Sequence, residues 1–293
     1  MKEQQSTILI PVDFKDHFKL AVEFGKKLAP TISAEIHLLY VLDLNEWWLE
    51  DVKPEKIVND AFNKLVKVSK EFQLPEKTKY SVLQGKRHEK IVSYANEIGA
   101  RYILMVDNYP NARGEQKLGA TLSNVIISAK QPVITVKSVT PTILKRILVP
   151  LDLTKDCRLK LFNSIAIALA FDSSLHITSV VFGDIKPEDS RINDKMNKYQ
   201  QFYKENNILY STKILQKDED FAYRAIIEYA QDIKCDAIII MTHRESVGID
   251  NYLGAFAHHI INESPIPVIT LNSAASGEQR NIIKSILDPL NLF

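Results

Sequence analysis

The chain repeats itself once, and this repeat constrains the fold more than any other feature of the sequence. The segment from Thr7 to Asp13 (TILIPVD) is matched by the segment from Arg146 to Asp152 (RILVPLD) at a constant offset of 139 residues. Leu118-Gly119-Ala120 and Leu253-Gly254-Ala255 match at an offset of 135. A repeat of about 130 residues has the size of a domain and is far longer than a solenoid unit. The sequence therefore predicts two tandem domains.

We expect the first domain over residues 1–140, the second over 141–275 and an amphipathic tail over 276–293. Lys+Arg 37 against Asp+Glu 36 leaves a formal net charge of +1, which argues against a broad nucleic-acid-binding surface. No apolar stretch is long enough for a membrane span, and no signal-like segment opens the chain. These features predict a cytoplasmic protein that binds neither nucleic acid nor membranes.

Short apolar runs alternate with segments of helical periodicity in both halves. The runs cover 8–12, 35–42, 79–84, 102–106 and 133–136 in the first half, and 147–151, 175–182, 211–215, 237–241 and 268–271 in the second. Nearly continuous Ile, Val and Leu is typical of parallel strands that are covered on both faces. The pattern predicts an α/β protein of two doubly wound, five-stranded parallel-sheet domains.

In doubly wound sheets, ligands bind beyond the carboxyl ends of the strands, where the strand order reverses. The first strand of each half ends at Asp13 or Asp152. Either carboxylate could accept hydrogen bonds from a ribose or an adenine amine, or could instead cap the following helix. After the fourth strand, Gly119 and Gly254 precede new helices, whose N-termini can hold phosphate.

Four segments of each half, taken in order, resemble the universal stress protein family. In the first half they are the opening Ile-Leu-Ile-Pro-Val-Asp13, the Ile-Val-Ser-Tyr94-Ala helix, the loop that ends in Leu-Gly119-Ala, and the closing Pro132-Val-Ile-Thr-Val. The resemblance implies a Rossmann-like domain with strand order 3-2-1-4-5. It also implies that the two domains pair about a pseudo-twofold axis through the strands at 133–136 and 268–271. A homodimer or an unknown protein partner would be compatible with the same family.

Nucleotide-binding members of this family carry G-x2-G-x9-G followed by Ser or Thr after strand 4. The equivalent positions are Val106, Tyr109, Gly119 and Ala120 in the first half, and Met241, Arg244, Gly254 and Ala255 in the second. Only the third glycine is kept in each half. A large side chain in place of a glycine prevents close approach of a ligand to the backbone. We therefore expect no standard triphosphate site, and ATP is not an expected cofactor.

The second half is the better candidate for any anionic ligand. Thr242, His243 and Arg244 follow its fourth strand, whereas Asp107 follows that strand in the first half and would repel a phosphate. An alternative role for Arg244 is a salt bridge. The candidate ligand-binding residues are Asp13, Gly119, Asp152, Thr242, His243, Arg244, Gly254 and Ala255.

The sequence contains no recognisable catalytic motif, neither a G-x-S-x-G elbow nor a Walker lysine loop. His258 and His259 are adjacent on a helix and point in different directions, so no metal site is expected. The Trp47-Trp48 pair could line a pocket or pack under a loop. The leading prediction is a non-enzymatic tandem universal stress protein, acting as a stress-response binding or scaffold module with altered nucleotide loops in both halves. The alternatives are a nucleotide or small-metabolite binding protein and, third, a slow ATP hydrolase.

Overall fold

The computed structural model describes residues 6–15, 17–43, 54–107, 118–138, 140–153, 157–182, 190–217, 222–242 and 253–272. The chain divides into two compact units between Thr142 and Ile143. The Trp47-Trp48 pair and the predicted tail at 276–293 lie outside the described residues. Within the described ranges, no helix has the length and apolar character needed to cross a membrane.

The first unit alternates strands and helices along the chain. Its elements are β1 (Ser6–Val12), α1 (Phe18–Thr31), β2 (Ala34–Leu42), α2 (Pro54–Glu71), β3 (Lys79–Gln84), α3 (Arg87–Glu97), β4 (Tyr102–Val106), α4 (Ala120–Ser128) and β5 (Val133–Val136). The strands lie in the order β3-β2-β1-β4-β5, and all of the pairs are parallel.

The second unit has the same element order. Its elements are β6 (Arg146–Pro150), α5 (Arg158–Phe171), β7 (Ser174–Val181), α6 (Ser190–Glu205), β8 (Tyr210–Gln216), α7 (Ala222–Asp232), β9 (Ala237–Thr242), α8 (Ala255–Glu263) and β10 (Val268–Asn272). Its strands lie in the order β8-β7-β6-β9-β10, again all parallel. Counted within the unit, this is also 3-2-1-4-5.

The doubly wound parallel fold and the 3-2-1-4-5 order predicted from the sequence are confirmed in both units. The apolar runs at 79–84, 102–106 and 133–136 coincide with β3, β4 and β5. The central strands are buried because helices cover both faces, and Ile8 to Ile10 and Ile147 to Val149 are fully inaccessible to solvent. Burial on both faces is the physical reason that these strands lack an alternating polar pattern.

The two units differ in how the first helix packs on the first strand. In the first unit, a Cβ atom at Gly25 would lie 2.5 Å from Cδ1 of Ile10. The repeat places Ser164 and Val149 at the equivalent positions of the second unit, and both are fully buried. The unit with the larger strand residue thus has the glycine on its helix, and the unit with the smaller strand residue has the serine. The same contact is filled in two ways.

Candidate functional site

A cleft opens at the carboxyl ends of the strands in each unit, where the doubly wound fold was expected to bind ligands. The first cleft has a volume of about 170 Å³ and lies at the ends of β1, β2 and β4. Its lining comprises Pro11, Val12, Asp13, Lys15, His17, Phe18, Leu39, Tyr40, Val41, Arg87, Ile91, Met105, Val106, Thr121 and Leu122.

The second cleft has a volume of about 270 Å³ and lies at the ends of β6, β7 and β9. Its lining comprises Pro150, Leu151, Asp152, Lys160, Val180, Phe182, Ala222, Ile226, Ile240, Met241, Gly254, Phe256 and Ala257. Both clefts lie beside the first strand of their unit, where the order of the sheet reverses.

The clefts use equivalent positions of the repeat but differ in chemistry. Asp13 and Val106 of the first correspond to Asp152 and Met241 of the second. Several positions change character: Arg87 at the start of α3 corresponds to Ala222, Thr121 in the first turn of α4 corresponds to Phe256, and Lys160 of the second cleft corresponds to Ala21. The first cleft therefore has a polar, cationic wall at the place where the described wall of the second cleft is apolar.

The two aspartates line the clefts and precede the N-cap residues of the following helices. Oδ1 of Asp13 accepts a hydrogen bond from the backbone N–H of Lys15 at 3.0 Å. The N-cap of α1 is His17 and that of α5 is Cys157, and neither helix has a side-chain cap. Neither aspartate is thus the N-cap residue of the helix that follows it, and both residues are solvent-exposed.

Glycines begin the helices that follow the fourth strands. Gly119 is the N-cap of α4 and Gly254 the N-cap of α8, each in an extended conformation. Gly254 also lines the second cleft, whereas Gly119 and Ala255 are not among the lining residues of either cleft. Ala120 stands where nucleotide-binding relatives are expected to have a hydroxyl residue. The next residue, Thr121, supplies a hydroxyl to the lining of the first cleft.

Of the three residues expected to bind an anion after β9, only Thr242 lies within the described structure. Thr242 is buried, and its hydroxyl donates to the carbonyl of Leu271 at 3.3 Å. It is not among the residues that line the second cleft. His243 and Arg244 lie outside the described residues.

The carboxylate that was expected to repel anions from the first unit is paired. Lys137 Nζ donates to Oδ2 of Asp107 at 2.6 Å, and both side chains are at least nine-tenths buried. Burial lowers the pKa of Lys137, and the charge of Asp107 beside it acts in the opposite direction. The premise that Asp107 presents an uncompensated negative charge was therefore wrong.

The cationic residues of the first cleft were not identified from the sequence. Lys15 lies just beyond β1, His17 precedes α1 and Arg87 begins α3. Single basic residues are normally read as solvated surface groups. Only the folding of the chain brings these positions to one cleft. The difference between Arg87 and Ala222 at one repeat position could, however, have indicated from the sequence that the two clefts differ in charge.

A buried polar network in the first unit lies away from the residues that line the cleft. The Tyr94 hydroxyl lies 3.0 Å from Nε2 of His37 and 2.5 Å from the Ser81 hydroxyl. Burial and nearby Lys79 lower the pKa of His37, so the neutral imidazole is favoured. This network joins β2, β3 and α3 through satisfied polar groups.

The described residues hold no group of three or more His, Cys, Asp and Glu side chains that could bind a metal ion. The two adjacent histidines of α8 have separate partners. His259 lies 2.8 Å from a carboxylate oxygen of Glu263 and stacks on Tyr223, whereas His258 contacts Asn262.

These features define a class: a tandem protein of two Rossmann-like units, each with a cleft at the switch point of its sheet. The model of the Universal stress protein family matches residues 6–137 and 144–272, which is most of the chain. The chain belongs to the universal stress protein family.

Similar proteins agree with this assignment. The chain is 27% identical over 158 residues to a universal stress protein of Methanocaldococcus jannaschii. The aligned region covers 47% of this chain and 98% of that relative. A crystal structure of a universal stress protein from Archaeoglobus fulgidus matches 93% of this chain and 99% of its own, with a TM-score of 0.72 and 17% identity. A functionally unknown protein from Pseudomonas aeruginosa matches 97% of this chain and 98% of its own, with a TM-score of 0.66 and 16% identity. At these identities the structural matches concern the fold alone.

Proposed function

We propose that this universal stress protein is a non-enzymatic binding and scaffold module that has lost the triphosphate site in both units. The observation that carries the proposal is the presence of Val106 and Met241 in the two cleft walls. These are the positions at which the resemblance implies the first glycine of a nucleotide loop. A slow ATP hydrolase would need such a loop, so we expect neither unit to hydrolyse ATP.

The size of the clefts supports the same conclusion. Ligand pockets for drug-sized molecules usually enclose about 300–1,000 Å³. The first cleft, at about 170 Å³, and the second, at about 270 Å³, are both smaller. A branched or long side chain at the end of the fourth strand keeps a ligand away from the backbone N–H groups. A compact ligand fits these dimensions better than a nucleoside triphosphate.

A second candidate function is the binding of a compact anion by the first cleft. Lys15 and Arg87 supply two positive charges against the one negative charge of Asp13, and His17 lies beside them. Thr121 adds a hydroxyl in the first turn of α4, and a helix N-terminus favours negative charge. Among the described residues, those of the first unit are the better suited to an anion; the ranking expected from the sequence rested on His243 and Arg244, which lie outside the described residues. A monophosphate has the charge and size that this wall accommodates.

We expect millimolar inorganic phosphate or AMP to raise the melting temperature, and millimolar ATP with Mg²⁺ to leave it unchanged. A ligand at a hundred times its dissociation constant stabilises a protein by about 2.7 kcal/mol, which a melting curve resolves easily. Arg87→Ala should abolish most of the phosphate effect, because it removes the guanidinium from the cleft wall. Differential scanning fluorimetry with isothermal titration calorimetry measures both effects.

Lys86→Ala is the matched control, since it removes the same charge from the residue just before Arg87. Lys86 is exposed, pairs with Glu89 at 3.1 Å and does not line the cleft. Equal losses in the two variants would indicate general electrostatic attraction and refute the second candidate. Stabilisation of the wild-type protein by ATP with Mg²⁺ would overturn the loss of the triphosphate site.

We further propose that the units pair within one chain through β5 and β10, that the protein is cytoplasmic, and that it forms a homodimer or binds a protein partner. Support comes from the tandem family match and from the short segment between 138 and 144, which contains Pro141. In small-angle X-ray scattering, the monomeric chain should then fit one compact particle, with a radius of gyration near that of a single globule of its length. A scattering curve of two separated bodies would contradict the pairing.

A further inference from the structure

We infer that the second cleft is a binding site for a compact, uncharged molecule with an apolar ring system and a hydrogen-bond donor. This goes beyond the proposed function, which concerns anions in the first cleft and the loss of the triphosphate site. The duplicated chain would then carry two sites of different chemistry on one fold.

The exchange of two residues between the repeats is the first support. At the position of Arg87 the second unit has Ala222, and at the position of Thr121 it has Phe256. Both replacements line the second cleft. Together they remove a cation and a hydroxyl from the places where an anion would be bound, and they add an aromatic ring.

The walls of the second cleft are the second support. Val180, Phe182, Ile226, Ile240 and Met241 surround it, and Phe256 stands at the start of α8 with 41% of its surface exposed. Small-molecule sites are mostly apolar clefts with a few well-placed polar groups. Burying a charged phosphate against such walls would be costly, because its hydration would not be replaced. Burying a ring system there would be favourable.

The polar groups of the second cleft indicate the charge and the hydrogen-bonding group of the ligand. Nζ of Lys160 donates to the carbonyl of Pro150 at 2.8 Å, so its charge is directed towards the end of β6. The exposed carboxylate of Asp152 lies in the same lining. Asp152 and Lys160 together carry no net charge. A neutral ligand that donates an N–H or O–H to Asp152 matches this arrangement.

The volume sets the size of the ring system. An apolar cavity of about 150 Å³ is known to hold benzene. The second cleft, at about 270 Å³, has room for a larger group. An aromatic amine of two or three rings combines the required body with the required donor.

N-phenyl-1-naphthylamine tests the inference, because it is uncharged, carries one N–H and fluoresces more strongly in apolar surroundings. We expect saturable binding to the full chain with one site per molecule, unaffected by millimolar phosphate. The double variant Ala222→Arg/Phe256→Thr, which copies the residues of the first cleft, should bind at least about tenfold more weakly. In methyl-detected NMR, Ile226 and Ile240 should shift, whereas Ile91 of the first cleft should not.

Phe62→Thr is the control for a general loss of exposed aromatic surface, since Phe62 is 42% exposed and lies on α2 of the other unit. Circular dichroism establishes that each variant is folded, and the single change Ala222→Arg at the start of α7 replaces the double variant if that one does not fold. Non-saturable binding, equal weakening by Phe62→Thr, or methyl shifts at Ile91 instead of Ile226 would each overturn the inference. So would undiminished binding by the folded Ala222→Arg or double variant.

Discussion

Replacing Asp107 with threonine should lower the free energy of unfolding by about 3–5 kcal/mol, the usual cost of removing one partner from a buried ion pair. Asp107 and Lys137 are 10% and 7% exposed, so the ammonium group would lose its carboxylate partner without gaining full hydration. Urea unfolding followed by circular dichroism and tryptophan fluorescence measures the change.

The repeat supplies the matched control for this prediction. The second unit has Thr242 and Asn272 at the equivalent positions, and both are buried. Neutral side chains thus occupy there the place that the ion pair occupies in the first unit. The double variant Asp107→Thr/Lys137→Asn should therefore recover most of the stability lost in Asp107→Thr, because no buried charge remains. If the double variant were at least as unstable as the single one, the interpretation of this pair as a replaceable polar contact would be wrong.

Gly25→Ser should destabilise the first unit by about 1–3 kcal/mol, which is the usual cost of overpacking a well-packed core. The new Cβ would lie 2.5 Å from Cδ1 of Ile10, so the strand residue or the helix would have to move. The hydroxyl itself adds little strain, since Ser164 in the second unit donates to the carbonyl of Leu161 three residues earlier. The loss therefore comes from volume. The same urea titrations measure it.

Adding Ile10→Val should restore much of the stability, because the second unit has the smaller Val149 at the strand position that corresponds to Ile10 and Ser164 at the position of Gly25. Ile→Val alone usually costs about 0.5–1.5 kcal/mol. The double variant should consequently be more stable than the sum of the two single changes predicts, with a coupling of about 0.5–3 kcal/mol. Simple additivity would show that the two side chains do not compete for one space.

Duplication followed by divergence explains why these exchanges are informative. Each unit keeps the sheet order, the aspartate at the end of the first strand and the glycine before the last helix. Among the many positions that differ, some fill contacts in the core, such as Gly25 and Ser164, and some line clefts, such as Arg87 and Ala222. The two units therefore share one fold but differ in the residues that line their clefts, and ligand choice depends on the site and not on the fold.

The positions of the strands and the duplication of the fold could be predicted from the amino-acid sequence. Runs of four to eight residues predicted β3, β4 and β5 to the residue, and of these β4 and β5 are largely buried whereas the edge strand β3 is partly exposed. The repeat predicted that the second half would fold like the first. Local chemistry was sufficient here because strand burial and helix periodicity are properties of short segments.

The character of the site depended on the tertiary structure. Asp107 looked like a free carboxylate until folding placed Lys137, thirty residues later, at 2.6 Å from it. Lys15, Arg87 and Thr121 were unremarkable single residues until three separate elements brought them to one cleft. Charge compensation and cleft composition arise from contacts between segments that are distant in the chain. A linear pattern does not contain those distances. The order of residues therefore revealed the fold and the family, whereas the packed structure revealed that positive charges outnumber negative ones in the described lining of the first cleft and balance them in that of the second.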